Sequence, residues 1–332
     1  MTRTLSQAGV RRAVKSPLLS GVFLIVLGGQ AGFPAAPTGG NQDPASCRIT
    51  VNVDLVVLHA TVRDRRGRLV SSLRAQDFEV YEEGVPQRIR FFQREDVPVT
   101  VGLVVDHSGS MRPKLRDVIT AARTFVQSSN PEDEMFVVNF NEKVILGLPG
   151  AVHFTNRSDE LERAILKTPA SGQTALYDAV GEALERLQAG SRDKKVLVVI
   201  SDGADNASVR SLTEILQIAE RSGAVIYTVG IFDAADPDRN PGVLRRLARA
   251  TGGAAFSPGQ PNEVVAICER IAHDIRNQYT IGYVPANPAP PGTYRAIRVV
   301  ARAAGGRRFF VRTRAGYIAG AATQSAKVKD AK

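Results

Sequence analysis

Two kinds of hydrophobic pattern divide the chain. In ITVNVDLVVLHATVRD (49–64) apolar and polar residues alternate, the mark of a strand with one wet face. RRGR then supplies a turn around Gly67, and FEVYEEGVPQRIRFF (78–92) reads as a hairpin bent at EEG. At residue 99 the alternation stops. VTVGLVV is a nearly continuous apolar run, as expected of a central parallel strand covered on both faces.

From there strands and helices alternate. RPKLRDVITAARTFVQSS (112–129) carries apolar residues at helical spacing, with Pro113 tolerated in a first turn. MFVVNF and VILG follow as strands, then SDELERAIL as a helix with Ser158 at its start and acids in its first turn. ALYDAVGEALERLQ is a second amphipathic helix and KKVLVVISDG a second buried strand. Helix SLTEILQIAERSG, strand AVIYTVGI and helices PGVLRRLARATG and NEVVAICERIAHDIRN complete the series. The pattern predicts a doubly wound α/β domain with a mostly parallel sheet over 97–276.

Beyond 277 the strand pattern returns in QYTIGYVP, TYRAIRVVARA and RRFFVRTRAGYI. Neither flank holds enough strands for a stable sheet pair alone. The economical arrangement is one small antiparallel, β-sandwich-like domain built from 49–96 and 277–318, with the α/β domain inserted; two separate β appendages are the alternative. Residues 319–332 read as a flexible tail.

Composition adds a location. The net charge of the 332 residues is +10, and Arg3, Arg11, Arg12 and Lys15 precede an apolar run (18–29) without any acid beside them. A basic start, a short apolar stretch and small residues with prolines predict an export signal over 1–36 followed by a linker over 37–48; an uncleaved anchor is the alternative. Periplasm, cell envelope or medium would then be the destination. Only Cys47 and Cys268 occur, so one disulfide is conceivable after export, although Cys268 shares an apolar helical face with Val264, Ile271 and Ile275 and suits a buried thiol.

The chemistry lies in VVDHSGSM (104–111). Asp106 ends a buried strand, and Ser108 and Ser110 follow at every second position, so three oxygen side chains can converge. KVLVVIS ends at Asp202, a second carboxylate at the same sheet edge, where open α/β sheets bind ligands. Between them SGQTAL places Thr174 just before a helix, where its hydroxyl could cap that helix or face the same point. Two carboxylates and three hydroxyls are hard donors that suit Mg²⁺, Mn²⁺ or Ca²⁺ and not zinc. Asp205 and Asn206 read instead as loop residues capping the helix that follows them.

DHSGSM, Thr174 in SGQTAL and Asp202 in SDG together resemble the metal-ion-dependent adhesion site of von Willebrand factor type A domains, in order and in spacing. The flanking DFEVYEEGVPQRIRFFQRED, QYTIGYVP and RAGYI resemble the acidobacterial group of von Willebrand factor A-related proteins. The resemblance implies a Rossmann-like fold, direct metal ligation by Ser108 and Ser110, water held by Asp106, and roles for Thr174 and Asp202 that alternate between direct and water-mediated. It implies a non-catalytic adhesion module that captures a Glu or Asp of a protein partner through Mg²⁺, Mn²⁺ or Ca²⁺. His107 occupies the variable position of the motif.

Two rivals remain. A Mg²⁺-dependent phosphatase also carries Asp at a strand end, but its second Asp, two residues on, is here Ser108. Consecutive Asp106, His107 and Ser108 cannot form a hydrolytic triad, and no phosphate-cradling glycine loop occurs. Arg295, Arg298, Arg302, Arg307, Arg308, Arg312 and Arg314 could meet a polyanion or the envelope, yet several alternate with Ile297, Val299, Phe309 and Val311 as on the wet face of a sheet. Export argues against nucleic acid as the partner.

Overall fold

The computed structural model describes residues 55–320 apart from 95, 151, 234–236, 261–262 and 304–305. Every described residue lies within Val51–Lys332. The expected export signal, the linker and nearly all of the tail fall outside the described residues. Among those described, no helix is long and apolar enough to cross a membrane.

The strands are β1 (Val56–Arg63), β2 (Phe78–Glu82), β3 (Val85–Gln87), β4 (Ile89–Gln93), β5 (Val99–Asp106), β6 (Glu134–Phe140), β7 (Val144–Leu146), β8 (Lys194–Ser201), β9 (Val225–Gly230), β10 (Ala255–Phe256), β11 (Tyr279–Tyr283), β12 (Tyr294–Ala301), β13 (Phe310–Arg312) and β14 (Gly316–Ile318). The helices are α1 (Leu115–Ser128), α2 (Ser158–Leu166), α3 (Leu176–Leu187), α4 (Leu212–Ser222), α5 (Pro241–Thr251) and α6 (Glu263–Arg276).

A six-stranded sheet runs β10-β9-β8-β5-β6-β7, parallel throughout except for the edge strand β7. β5 and β8 lie side by side in its middle and are buried along their whole length, which explains why their sequences lack polar alternation. Gly102 interrupts β5 because a Cβ there would stand 2.5 Å from Leu197 and 2.6 Å from Phe136, whose side chains cross over it. α1 packs between α2 and α6, while α3, α4 and α5 pack in series, giving the two helix layers of a doubly wound fold.

Among the described residues there are also two four-stranded antiparallel sheets, ordered β13-β1-β11-β4 and β14-β12-β2-β3. Each combines strands from both sides of the α/β segment: β1 pairs with β11 and β13, and β2 pairs with β12. Val56, Leu58, Ala60 and Val62 of β1 pack with Phe78, Val80, Tyr279, Ile281 and Ile297 into a core of their own. The stretch RRFFVRTRAGYI, expected as one strand, is two. β13 joins β1 and β14 joins β12, with Thr313, Arg314 and Ala315 carrying the chain from one sheet to the other.

α6 leads into β11 through polar contacts. Asp274, fully buried near the helix end, accepts from Arg63 of β1 at 2.6 Å and from Arg312 of β13 at 3.1 Å. Gln278 donates to Tyr227 Oη of β9 at 3.1 Å and to Thr61 Oγ1 of β1 at 3.3 Å. Cys268 is a free, buried thiol whose pKa burial pushes up to about 12; Cys47 lies outside the described residues.

Candidate metal centre

The carboxyl ends of β5 and β8 are neighbours, so the residues leaving them meet. Asp106 is fully buried, with Oδ1 accepting the Ser108 amide at 2.8 Å and Oδ2 accepting the Ser201 hydroxyl at 2.6 Å. Ser110 Oγ donates to Asp202 Oδ2 at 2.5 Å and lies 3.2 Å from Ser108 Oγ. The second oxygen of Asp202, also fully buried, accepts the Ala204 amide at 3.1 Å. Asp106, Ser108, Ser110 and Asp202 therefore form one connected cluster of oxygens.

Among the described residues no hydrogen bond joins Thr174 to this cluster; the segment before it is tied to the serine loop. Ser171 donates its amide to His107 O at 2.8 Å and Gly109 donates to Gly172 O at 3.2 Å, which fastens the 171–174 segment to the serine loop. From the other side, Asn206 Oδ1 accepts the Thr174 amide, and the Thr174 carbonyl accepts the amides of Asn206 and Ala207. The Thr174 side chain caps no helix: the N-cap of α3 is Ala175 and has no side-chain cap bond. Thr174 is 4% exposed, and among the described residues its hydroxyl has no hydrogen-bond partner.

Asp205 and Asn206 do cap a helix, but the one before them in sequence. Asp205 Oδ1 accepts the Tyr177 amide in the first turn of α3, and Ser208 Oγ accepts that of Asp178. Helix α4, expected to receive this cap, starts at its own capping box, in which Ser211 Oγ accepts the Glu214 amide and Glu214 returns a bond to Ser211 N. The loop after Asp202 thus folds back over α3 and becomes part of the site's wall. Asp178 holds its far end by accepting the amides of Val209 and Arg210.

Ser201 is the residue that sequence reasoning missed. A hydroxyl closing an otherwise apolar strand was the available sign, since its Oγ holds Asp106 and accepts the Gly203 amide at 3.0 Å. Gly203 has φ +81, and a Cβ there would stand 2.3 Å from the Asn240 carbonyl oxygen, so the loop turns tightly where only glycine fits. His107 points away from the cluster; its imidazole lies near Asn139 and Thr168, and burial holds its pKa below the ordinary histidine value.

The electrostatics are unbalanced. Burial pushes the Asp106 carboxyl up to about 6; the bonds from Ser108 and Ser201 oppose the rise, and the Asp202 charge adds to it. Among the described residues neither carboxylate has a salt-bridge partner, in contrast to Asp274 and Glu82. No cluster of three or more His, Cys, Asp or Glu side chains occurs among the described residues, so a cation here would rely on hydroxyls as well as carboxylates.

With fold and cluster in place, the chain can be set beside known proteins. Residues 100–268, just over half of the 332, match the von Willebrand factor type A domain, and the chain belongs to that family. It is 25% identical over 227 residues to inter-alpha-trypsin inhibitor heavy chain H2 of Mus musculus, covering 64% of this chain and 22% of that protein. It spans about a fifth of the length of the curated relatives it matches. Among solved structures, a von Willebrand factor type A protein from Catenulispora acidiphila is 14% identical with a TM-score of 0.49, over 80% of this chain and 74% of that one. The von Willebrand factor domain of the type V pili tip protein Mfa5 from Porphyromonas gingivalis is 15% identical with a TM-score of 0.46, over 54% and 95%.

Proposed function

We propose that the protein is an exported, non-catalytic binding module whose cluster at the ends of β5 and β8 is a metal-ion-dependent adhesion site. Domains of this family are commonly protein-interaction modules. The observation that carries the reading is the pair of fully buried carboxylates, Asp106 and Asp202, each accepting a serine hydroxyl and lacking a cationic partner among the described residues. Buried charge without compensation is costly, and a hard divalent cation supplies what the donor set lacks.

Ser108, Ser110 and Thr174 would offer hydroxyl oxygens, with Asp106 and Asp202 holding those hydroxyls or intervening water in place. When bound, the cation supplies an electrophilic face that a Glu or Asp of a partner protein can occupy. The protein's own groups position the three loops, and the bonds from Ser108 and Ser201 to Asp106 oppose the effect of burial on its carboxyl. No residue two positions after Asp106 can act as a general acid, because Ser108 stands there, which is why binding is preferred to phosphate hydrolysis. Export would place the module in the periplasm, the envelope or the medium.

Calorimetric titration with Mn²⁺ and with Mg²⁺ tests the site. Heat of binding is expected for the native chain and not for Asp106→Ala. Silence from the native chain, or undiminished binding by the variant, overturns the reading. A phosphatase assay on the same samples separates the rival: turnover that Asp106→Ala abolishes would favour an enzyme.

A further inference from the structure

The arginines that composition placed in the closing strands are mostly engaged within the molecule. Arg295, Arg302 and Arg312 pair with Glu82, Glu79 and Asp274 at 2.7, 3.6 and 3.1 Å, Arg298 lies over the Tyr81 ring at 4.2 Å, and Arg314 donates to Val57 O. The uncommitted positive charge lies elsewhere. Arg245, Arg246 and Arg249 of α5 are exposed, and none of their guanidinium groups makes a hydrogen bond or ion pair with a described residue. Arg245 and Arg249 stand one helical turn apart, where like charges oppose each other and weaken a helix.

These three side chains line a cleft of about 810 Å³ between α5 and the crossing segment that links β13 to β14. Gly252, Thr313 and Ala315 shape the rest of it, and among its lining residues there is neither a carboxylate nor an aromatic ring. The small residues are required by the packing: a Cβ at Gly252 would meet the Arg314 amide nitrogen at 2.3 Å. A trough floored by small groups and rimmed by guanidinium forks suits an unbranched chain carrying repeated anionic groups, since the fork matches sulfate and carboxylate geometry.

We infer that the cleft between α5 and residues 311–315 is a second binding site, separate from the oxygen cluster, whose ligand is an anionic polysaccharide held by Arg245, Arg246 and Arg249. The absence of aromatic lining disfavours single-stranded nucleic acid, which is held largely by stacking. A concave site favours a single chain over a flat lipid surface. Recognition is by charge and shape, so affinity falls as salt rises.

The test uses the full chain, in buffer with EDTA so that the metal cluster takes no part. Probes are heparin for sulfate groups, alginate for carboxylate groups, short duplex DNA and phosphatidylglycerol vesicles. The variants are Arg245→Ser/Arg246→Ser/Arg249→Ser and, as an equal removal of exposed charge, Arg65→Ser/Arg66→Ser/Arg90→Ser. Heparin or alginate should bind, the α5 variant should lose roughly tenfold or more in affinity, and the control should lose less than about twofold, with both variants retaining the native melting temperature. Which of the two probes binds more tightly identifies sulfate or carboxylate as the recognised group. Equal loss in both variants, no binding of either polysaccharide, or α5-dependent binding confined to DNA or vesicles would overturn the inference. If the triple variant does not fold, the single exchange Arg249→Glu is read by the same criteria.

Discussion

Ser110 and Asp202 lie 92 residues apart in sequence and share a hydrogen bond of 2.5 Å across the ends of β5 and β8. The bond exists because these two strands are parallel neighbours, so what leaves one leaves beside the other. Ser110→Ala removes a proposed ligand and the tether on Asp202 together. Calorimetry is expected to show Mn²⁺ affinity reduced by at least about tenfold, while urea denaturation shows a stability change near 1 kcal/mol, the usual worth of one hydrogen bond.

Gly203 tests whether the loop shape matters beyond its side chains. Gly203→Ala adds a Cβ at φ +81 and 2.3 Å from the Asn240 carbonyl oxygen, so the loop must move. The expected cost is about 2 kcal/mol in urea denaturation, together with weakened Mn²⁺ binding because Asp202 is the adjacent residue.

Asp274 holds two arginines at once. Asp274→Ala leaves Arg63 and Arg312, whose side chains are 18% and 29% exposed, without their carboxylate. Their partial access to water moderates the loss, and a destabilisation of about 2–3 kcal/mol is expected from chemical denaturation. The substitution lies far from the oxygen cluster in sequence and contact, so Mn²⁺ affinity should stay within about twofold of native.

Lys194 gives a pH dependence. It is buried at the start of β8, its Nζ donating to Ile275 O at 2.5 Å, and burial lowers its pKa from 10.5 to about 7, opposed by the charges of Asp133 and Asp96. Between those two values the unfolded chain holds a proton that the folded chain lacks, so stability rises with pH through that window. The slope contributed by this group is at most about 1.4 kcal/mol per pH unit. Urea denaturation at about pH 7.5 and about pH 9.5 should show the gain in the native chain and a smaller one in Lys194→Met.

Much of the fold was legible because burial on both faces leaves a simple trace: the unbroken apolar runs of β5 and β8 fall where the central strands lie. The helices between them were equally plain from their spacing. The two-residue strand β10 and the split of the closing strand into β13 and β14 were not, since a few residues of alternating pattern carry no sign of the sheet they will join. Residues of the oxygen cluster were legible as short-range spacing plus strand ends. What sequence could not give was direction: Asp205 and Asn206 read as caps, yet they turn back to α3, because the preceding turn at Gly203 sends the loop across that helix end. The arginines show the same limit. Their number was apparent, but which ones face a carboxylate depends on partners far away in the chain, as Arg295 and Glu82, 213 residues apart, show.

The interleaving of the two antiparallel sheets has a consequence for how the protein is made. While a ribosome is still extending the chain through the α/β segment, β1 and β2 have already emerged, but β11 and β12 have not. The amino-terminal strands must wait, their edges open, until residues near 300 appear, whereas the parallel sheet can close beforehand from contiguous sequence. Synthesis arrested just after α6 would therefore leave a formed interior carrying orphaned hydrophobic ribbons, a nascent species that invites chaperones or self-association.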